Sequence, residues 1–138
     1  MFDACIYFNT TALARILERE WSKAFTPFGL TPPQGFMLRA ILDHPGRMQR
    51  DIARSMVISK ATATRALDGL EGKGWIERRP SQQDGREVIV YPTAAAKAIR
   101  APLNEASGNV TRRLKKVLGE EVFAGTVEKV RQVRAALE

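Results

Sequence analysis

Residues Gln49–Trp75 read QRDIARSMVISKATATRALDGLEGKGW, and how this stretch folds decides how the rest of the chain is read. Ile52, Ala53 and Met56 fall on one face of a short segment, at the three- and four-residue steps of a helix packed on a core. Val57-Ile58-Ser59 interrupts the pattern, and the Ser59 hydroxyl suits the N-cap of a second helix. In that second helix Ala63, Leu67 and Leu70 line up inward. Lys60, Ala61, Thr64, Arg65 and Asp68 fall on other sides, and Thr62 lies near the exposed N-terminal end. Gly72-Lys73-Gly74 then stops the helix. Two short helices joined by a tight turn are predicted.

The first turn of the second helix is slim, hydroxyl-bearing and basic. Such an end can enter a DNA major groove, where hydroxyls and Lys60 reach phosphates and base edges. Ala61 and the threonine methyls can touch thymine methyl groups, and the helix dipole presents positive charge to the backbone. An ordinary surface helix can have the same composition, so the neighbouring segments carry the distinction.

Downstream, Trp75–Arg79 and Glu87–Tyr91 read as strands, the second β-branched and aromatic. Between them Pro80-Ser81-Gln82-Gln83-Asp84-Gly85-Arg86 is polar, with Asp84-Gly85 suited to a turn. Pro80 cannot donate to a strand ladder, so an open loop is expected rather than a tight hairpin. A two-stranded ribbon directly after a helix-turn-helix is a wing. Gln82, Gln83 and Arg86 stand at its tip, and arginine is the residue type that enters a narrow, electronegative minor groove.

Upstream, Ile6, Leu13, Ile16, Leu17, Trp21, Phe25 and Phe28 mark an amphipathic helix. Asn9, Thr10 or Thr11 is its expected start, and Thr26-Pro27 with Gly29 its end. Its large apolar residues exceed what one small domain needs, which points to subunit packing. Thr31 followed by Pro32 and Pro33 opens another helix with Phe36, Leu38, Ile41 and Leu42 on one face, and Asp43-His44-Pro45-Gly46 is a turn. From Lys97 the chain returns to helix through Ile99, Leu103, Ala106, Val110, Leu114, Val117 and Leu118, with Pro102 and Gly108 expected to bend or loosen it. A last helix begins at Leu118-Gly119-Glu120-Glu121 and carries Val122, Val127, Val130, Val133 and Leu137. Lys97, Arg100, Arg112, Arg113, Lys115 and Lys116 read mostly as a solvated face.

The totals narrow the class. With 138 residues and 44% apolar content the chain can bury a core as one domain. No apolar run is long enough for a membrane span, and the N-terminus lacks the pattern of a secretory signal, so a cytoplasmic protein is expected. One cysteine, Cys5, and one histidine, His44, argue against a structural zinc site and against an internal disulfide. No cofactor is implied. The net charge of +7 favours a polyanionic partner.

The order of elements, mainly α with a small β-wing, resembles the MarR family of bacterial transcription regulators over nearly the whole chain. The resemblance rests on GLTPPQGFMLRAI (Gly29–Ile41), ISKATATRALDGLEGKGWIERRP (Ile58–Pro80) and DGR (Asp84–Arg86). After the second wing strand this chain departs from the family pattern, with Pro92 in place of a leucine and Ala96 in place of a glycine. The resemblance implies a winged helix-turn-helix region over 31–96 and dimerisation helices over 1–30 and 97–138 of a single 1–138 subunit. It implies a homodimer on the double-stranded DNA of a pseudo-palindromic operator, a repressor more readily than an activator, associated with the nucleoid when bound. Ser59, Lys60, Thr62, Thr64 and Arg65 would face the groove, with Gln82, Gln83, Asp84 and Arg86 at the wing.

For the signal, the resemblance offers two routes. One is a small apolar or phenolic acid ligand, for which Trp21, Phe25, Phe28, Phe36 and Met37 are candidate lining. The other is oxidation of Cys5, two residues before Tyr7; but Leu30–Leu42 has Phe36 and Met37, and no tyrosine, where thiol sensors place partners. An enzyme would need a nucleophile, base and orienter, or a metal cluster, and His44 and Cys5 are the only candidates outside carboxylates and lysines. A winged-helix module that binds protein rather than DNA is the remaining alternative.

Overall fold

The computed structural model describes residues 1–138. Its elements, in chain order, are α1 (Ile6–Phe25), a 3-10 turn (Thr26–Phe28), α2 (Pro32–Asp43), β1 (Arg47–Met48), α3 (Gln49–Ser55), α4 (Lys60–Gly72), β2 (Ile76–Pro80), β3 (Val88–Pro92), α5 (Ala94–Leu118) and α6 (Glu120–Leu137). No helix is long and apolar enough to cross a membrane. The fold is a mainly helical winged helix-turn-helix with a small antiparallel sheet in the order β1-β3-β2.

α1 starts earlier than its hydroxyl-rich residues suggest. Cys5 is the N-cap, its Sγ accepting from the Phe8 N–H at 3.5 Å. Asn9 Nδ2 instead bonds back to the carbonyls of Asp3 and Cys5, both at 2.9 Å, and Thr11 Oγ1 donates to the Tyr7 carbonyl at 2.8 Å. Short polar side chains satisfy the preceding turn as readily as they cap the next one. The capping of α2 follows the sequence closely. Thr31 Oγ1 accepts from the Gln34 N–H, and Gln34 Oε1 accepts from the Thr31 N–H, a full capping box with two prolines in the first turn.

The core lies between α2, α4 and the sheet. Leu38, Ile41, Ile52, Ala63, Leu67, Leu70, Val90, Ala96 and Leu103 are wholly inaccessible to solvent. On α2 the buried face is Met37, Leu38, Ile41 and Leu42, while Phe36 turns outward and remains 38% exposed. Phe25 presses against α2 at Gly35, where a Cβ would come within 2.3 Å of its ring. Lys73, from the turn after α4, reaches back to the start of α2. Its Nζ donates to the Gly29 carbonyl at 2.6 Å and to Gln34 Oε1 at 2.8 Å.

Both strands sit one residue later than expected, with prolines at the ends of the ladder: Ile76 pairs with Pro92, and Pro80 with Val88. β1 is not anticipated by the sequence, because a two-residue strand has no periodicity to detect. It forms where Arg47 and Met48 meet Val90 and Ile89. The exit from the wing is direct despite Pro92 and Ala96. Thr93 caps α5 by accepting from the Ala96 N–H, and its hydroxyl donates to the Gly74 carbonyl at 2.8 Å.

α5 runs as one helix through Pro102 and Gly108. Ser107, on its buried face, accepts from Trp21 Nε1 at 3.0 Å and from Arg39 Nη1 at 2.9 Å, tying α1 and α2 to α5. Much of the basic run on α5 is paired: Arg100 with Asp43, Arg112 with Glu105 and Arg113 with Glu20. The apolar faces of α6 and of the first half of α1 stay uncovered in the single chain. Val122, Val127, Val130, Val133 and Leu137 are 41–83% exposed, and Ile6, Leu13 and Ile16 are 42–66% exposed.

Candidate nucleic-acid interface

The helix-turn-helix is α3, the turn Met56–Ser59, and α4. Ile52 and Ala53 bury the first helix; Ala63, Leu67 and Leu70 bury the second. The turn contains Val57 at φ 58°, the left-handed region, which for a β-branched residue is strained. Ser59 caps α4, accepting from the Thr62 N–H at 3.1 Å.

With the inward face fixed, Ser59, Lys60, Ala61, Thr64 and Arg65 stand exposed at the N-terminal end of α4. Hydroxyl orientation is set by local bonds. Thr64 Oγ1 donates to the Lys60 carbonyl at 2.9 Å and accepts from Gln49 Nε2 at 3.1 Å. Thr62 is placed differently from its neighbours. It is only partly exposed, its Oγ1 receives hydrogen bonds from Ser59 and Arg65, and it lines an apolar cavity beneath the helix. Lys60 makes no ion pair, and Arg65 has only a long bond to Thr62 at 3.4 Å, so both cations are available.

The wing tip is built by two side chains. Ser81 Oγ accepts from the N–H groups of Gln83 and Asp84, and Asp84 Oδ1 accepts from the Arg86 N–H at 3.0 Å. Gln82, Gln83 and Arg86 are exposed there, and the Arg86 guanidinium makes no hydrogen bond or ion pair within the chain. Asp84 therefore shapes the backbone beneath Arg86 and leaves its charge free.

Between α4 and the wing lies a polar cleft of about 310 Å³. Lys60 and Thr64 border it on one side, Arg86 and Glu87 on the other, with Gln49 and Arg50 at its floor. Arg50 Nη1 lies 2.9 Å from Glu87 Oε1, fixing α3 to the returning strand. Gln49 and Arg50 were not among the residues expected here. Their only signal is position at the start of α3, and it is the return of β3 alongside α3 that brings them to the cleft. The wing is fastened to α4 by Arg78, whose Nη2 lies 2.5 Å from Asp68 Oδ1 and 3.0 Å from Glu71 Oε1. The hydrogen bond from Arg78 holds the Glu71 carboxyl below its usual pKa.

A second cavity, about 550 Å³ and almost wholly apolar, lies beneath α4. Trp21, Phe36 and Met37 line it, joined by Met56 and Ile58 from the turn and Ala66 from α4. Phe25 and Phe28 lie outside that lining: Phe25 is in the core against Gly35, and Phe28 packs on the core's edge. Cys5 is exposed at the N-terminus of α1, with the Phe8 N–H as its contact.

Comparison with known proteins agrees with this geometry. The MarR family model matches residues 30–88, from the start of α2 into β3. The chain is 31% identical over 119 residues to the uncharacterized HTH-type transcriptional regulator YfiV of Bacillus subtilis, covering 86% of this chain and 72% of the relative. It is 28% identical over 116 residues to the HTH-type transcriptional repressor Rv2887 of Mycobacterium tuberculosis, covering 81% and 84%. The match to a third relative, YybA of Bacillus subtilis, is 30% identical and spans 63% of this chain but only 58% of that protein. Among solved structures, the transcriptional repressor CouR bound to a 23-mer DNA duplex superposes with a TM-score of 0.87 at 23% identity, covering 96% of this chain and 94% of that one. Sequence match, element order and superposed fold coincide, and the chain belongs to the MarR family of transcriptional regulators.

Proposed function

We propose that the protein is a sequence-specific regulator that binds double-stranded DNA as a homodimer and acts as a repressor. The observation that carries this is the pairing of unneutralised cations on either side of one cleft, Lys60 at the start of α4 and Arg86 on the wing, with the exposed Arg65 further along α4 also free of an ion pair. In this reading Ser59, Lys60, Thr64 and Arg65 enter a major groove while Gln82, Gln83 and Arg86 follow the adjacent minor groove, with Asp84 setting the tip. Gln49 and Arg50 add phosphate contacts at the cleft floor. The repressor named Rv2887 and the DNA-bound fold of CouR are consistent with it.

The dimer is supported by the uncovered apolar faces of α1 and α6, which share a groove lined by Leu13, Leu17, Val127 and Val130, since contiguous exposed apolar surface marks an interaction site. A frame of 1–30 and 97–138 then surrounds a DNA-binding region of 31–96, working in the cytoplasm. The cavity beneath α4 supports release by a small apolar ligand, because Thr62 and Ala66 of the groove helix form part of its wall.

The test is fluorescence anisotropy with duplexes selected from a random pool by the purified protein. A selected palindromic duplex should bind with a stoichiometry of two chains, and the affinity should fall steeply with added salt. Failure to select any duplex, together with salt-independent retention of a protein partner, would instead establish the protein-binding alternative.

A further inference from the structure

The lining of the cavity beneath α4 carries a single ionisable group, and what it implies rests on the proposed release by a ligand and deepens it. Its volume of about 550 Å³ suits a ring system of drug-like size. Trp21 and Phe36 supply aromatic surface, their ring centroids 6.0 Å apart at 44°. Among the lining residues only Glu18 is ionisable. No cation in the chain lies within ion-pair distance of it: Lys23 and Arg113 pair with Glu20 instead. Arg39 sits over the Phe36 ring, but its guanidinium is engaged by Asn104 Oδ1 at 2.8 Å and Ser107 Oγ at 2.9 Å and is not part of the lining.

A carboxylate placed in this cavity would find no cation among the lining residues, Arg65 reaching only the Thr62 hydroxyl at 3.4 Å, and would be repelled by Glu18. A protonated amine would gain the Glu18 carboxylate and the electron-rich face of Trp21, whereas the Phe36 ring already holds Arg39. We infer that the cavity takes a flat aromatic ligand bearing a protonated amine, a lipophilic cation rather than the phenolic acid expected from the family resemblance. Thr62 and Ala66 carry its occupancy to the groove helix. The same Thr62 hydroxyl is bonded to Ser59 and Arg65, so displacement of this wall disturbs both the helix cap and one of the exposed cations.

The test compares three ligands of one ring system, 2-naphthylmethylamine, 2-naphthylmethanol and 2-naphthoate, by titration calorimetry at neutral pH on the full chain. The amine should bind tightest and the acid weakest, separated by about fivefold to tenfold as expected for a partly solvated charge pair whose sign is reversed. In Glu18→Gln the order should collapse, the three ligands binding within about twofold of one another. Ala66→Phe, which fills the cavity, should weaken all three. An acid that binds as tightly as the amine, or an amine preference that survives in Glu18→Gln, overturns the charge assignment while leaving the cavity as a ligand site. Absence of binding by all three, or binding indifferent to Ala66→Phe, overturns the cavity itself.

Discussion

The Arg78 guanidinium on β2 lies 3.0 Å from Glu71 Oε1 on α4, and the Arg78 backbone N–H donates to the other oxygen of the same carboxylate at 3.2 Å. Glu71 thus receives both the main chain and the side chain of one residue, and the wing takes its direction from the groove helix. The same guanidinium reaches Asp68 one turn earlier. The position of Arg86 relative to Arg65 therefore rests on this clamp together with the Ser81 and Asp84 contacts at the wing tip.

Acid should therefore loosen the wing. The hydrogen bond from Arg78 keeps the folded-state pKa of Glu71 below its ordinary value of 4.5. A depressed carboxylate contributes stability above its unfolded pKa and loses it as pH falls through the folded one. The melting temperature should decline below about pH 4.5, the ordinary range of a free glutamate, and part of that decline should be missing in Arg78→Gln. An identical pH profile in the two proteins would show that the clamp does not contribute to stability.

Gly35→Ala tests the closest approach in the core. Its Cβ would lie 2.3 Å from the Phe25 ring, and neither the wholly buried ring nor the α2 backbone can retreat without a void or a shift. Overpacking of this kind costs about 1–3 kcal/mol, read as a lower urea midpoint. Phe25→Leu in the same chain should recover part of the loss, since the two changes act on one contact and will not be additive.

Val57→Gly should act in the opposite direction. A β-branched residue at φ 58° stores roughly 1–2 kcal/mol of backbone strain, and Val57 is 53% exposed, so little packing is lost on truncation. Allowing for the added freedom of glycine in the unfolded chain, about 0.5–1 kcal/mol, the variant should still be more stable than the parent. A lower urea midpoint would mean that the exposed valine side chain makes contacts that outweigh the strain.

Legibility in the sequence differs from element to element for physical reasons. Ser59, Ala63, Leu67 and Leu70 could be placed because capping and helical periodicity are local properties. The Val57–Ser59 connection and the wing were legible from signals just as local, a break in periodicity and the Asp84-Gly85 turn before a β-branched run. β1 was not, because Arg47 and Met48 become a strand only when β3 arrives beside them. Asn9 to Thr11 misled because their side chains serve the preceding turn. Thr62 looked like its neighbours in composition, yet the rotation of α4 turns it toward the cavity. Lys73 sits in a glycine-rich stop signal, and nothing local announces that it spans from α4 to the capping box of α2.

Arg65→Ala and Arg86→Ala should each weaken duplex binding severalfold and leave the oligomeric state unchanged. Neither guanidinium makes an ion pair in the chain, and the one hydrogen bond of Arg65 is long at 3.4 Å, so the folded state should lose little. If a side chain contacts phosphate, its removal should reduce the slope of log affinity against log salt by about one unit. If it contacts a base edge, the selected sequence should relax at one position instead. Binding and slope unchanged in both variants would remove these residues from the interface.

The uncovered face of α6 is where a second copy should dock. Val127 and Val130 lie 44% and 52% exposed, beside a groove they share with Leu13 and Leu17 of α1. If a second copy covers this groove, a charge placed there is desolvated on association and is strongly unfavourable without a partner. Val130→Glu should then shift the protein from dimer to monomer in sedimentation equilibrium, with little change in the core contributed by Leu38, Leu67 and Leu70. Truncation after Leu118 should have the same effect, because it removes the whole helix. A dimer that persists in both variants would place the interface elsewhere, and the exposed valines would then need a different occupant. Duplex affinity should fall along with dimerisation, since a monomer engages one half-site where the dimer engages two.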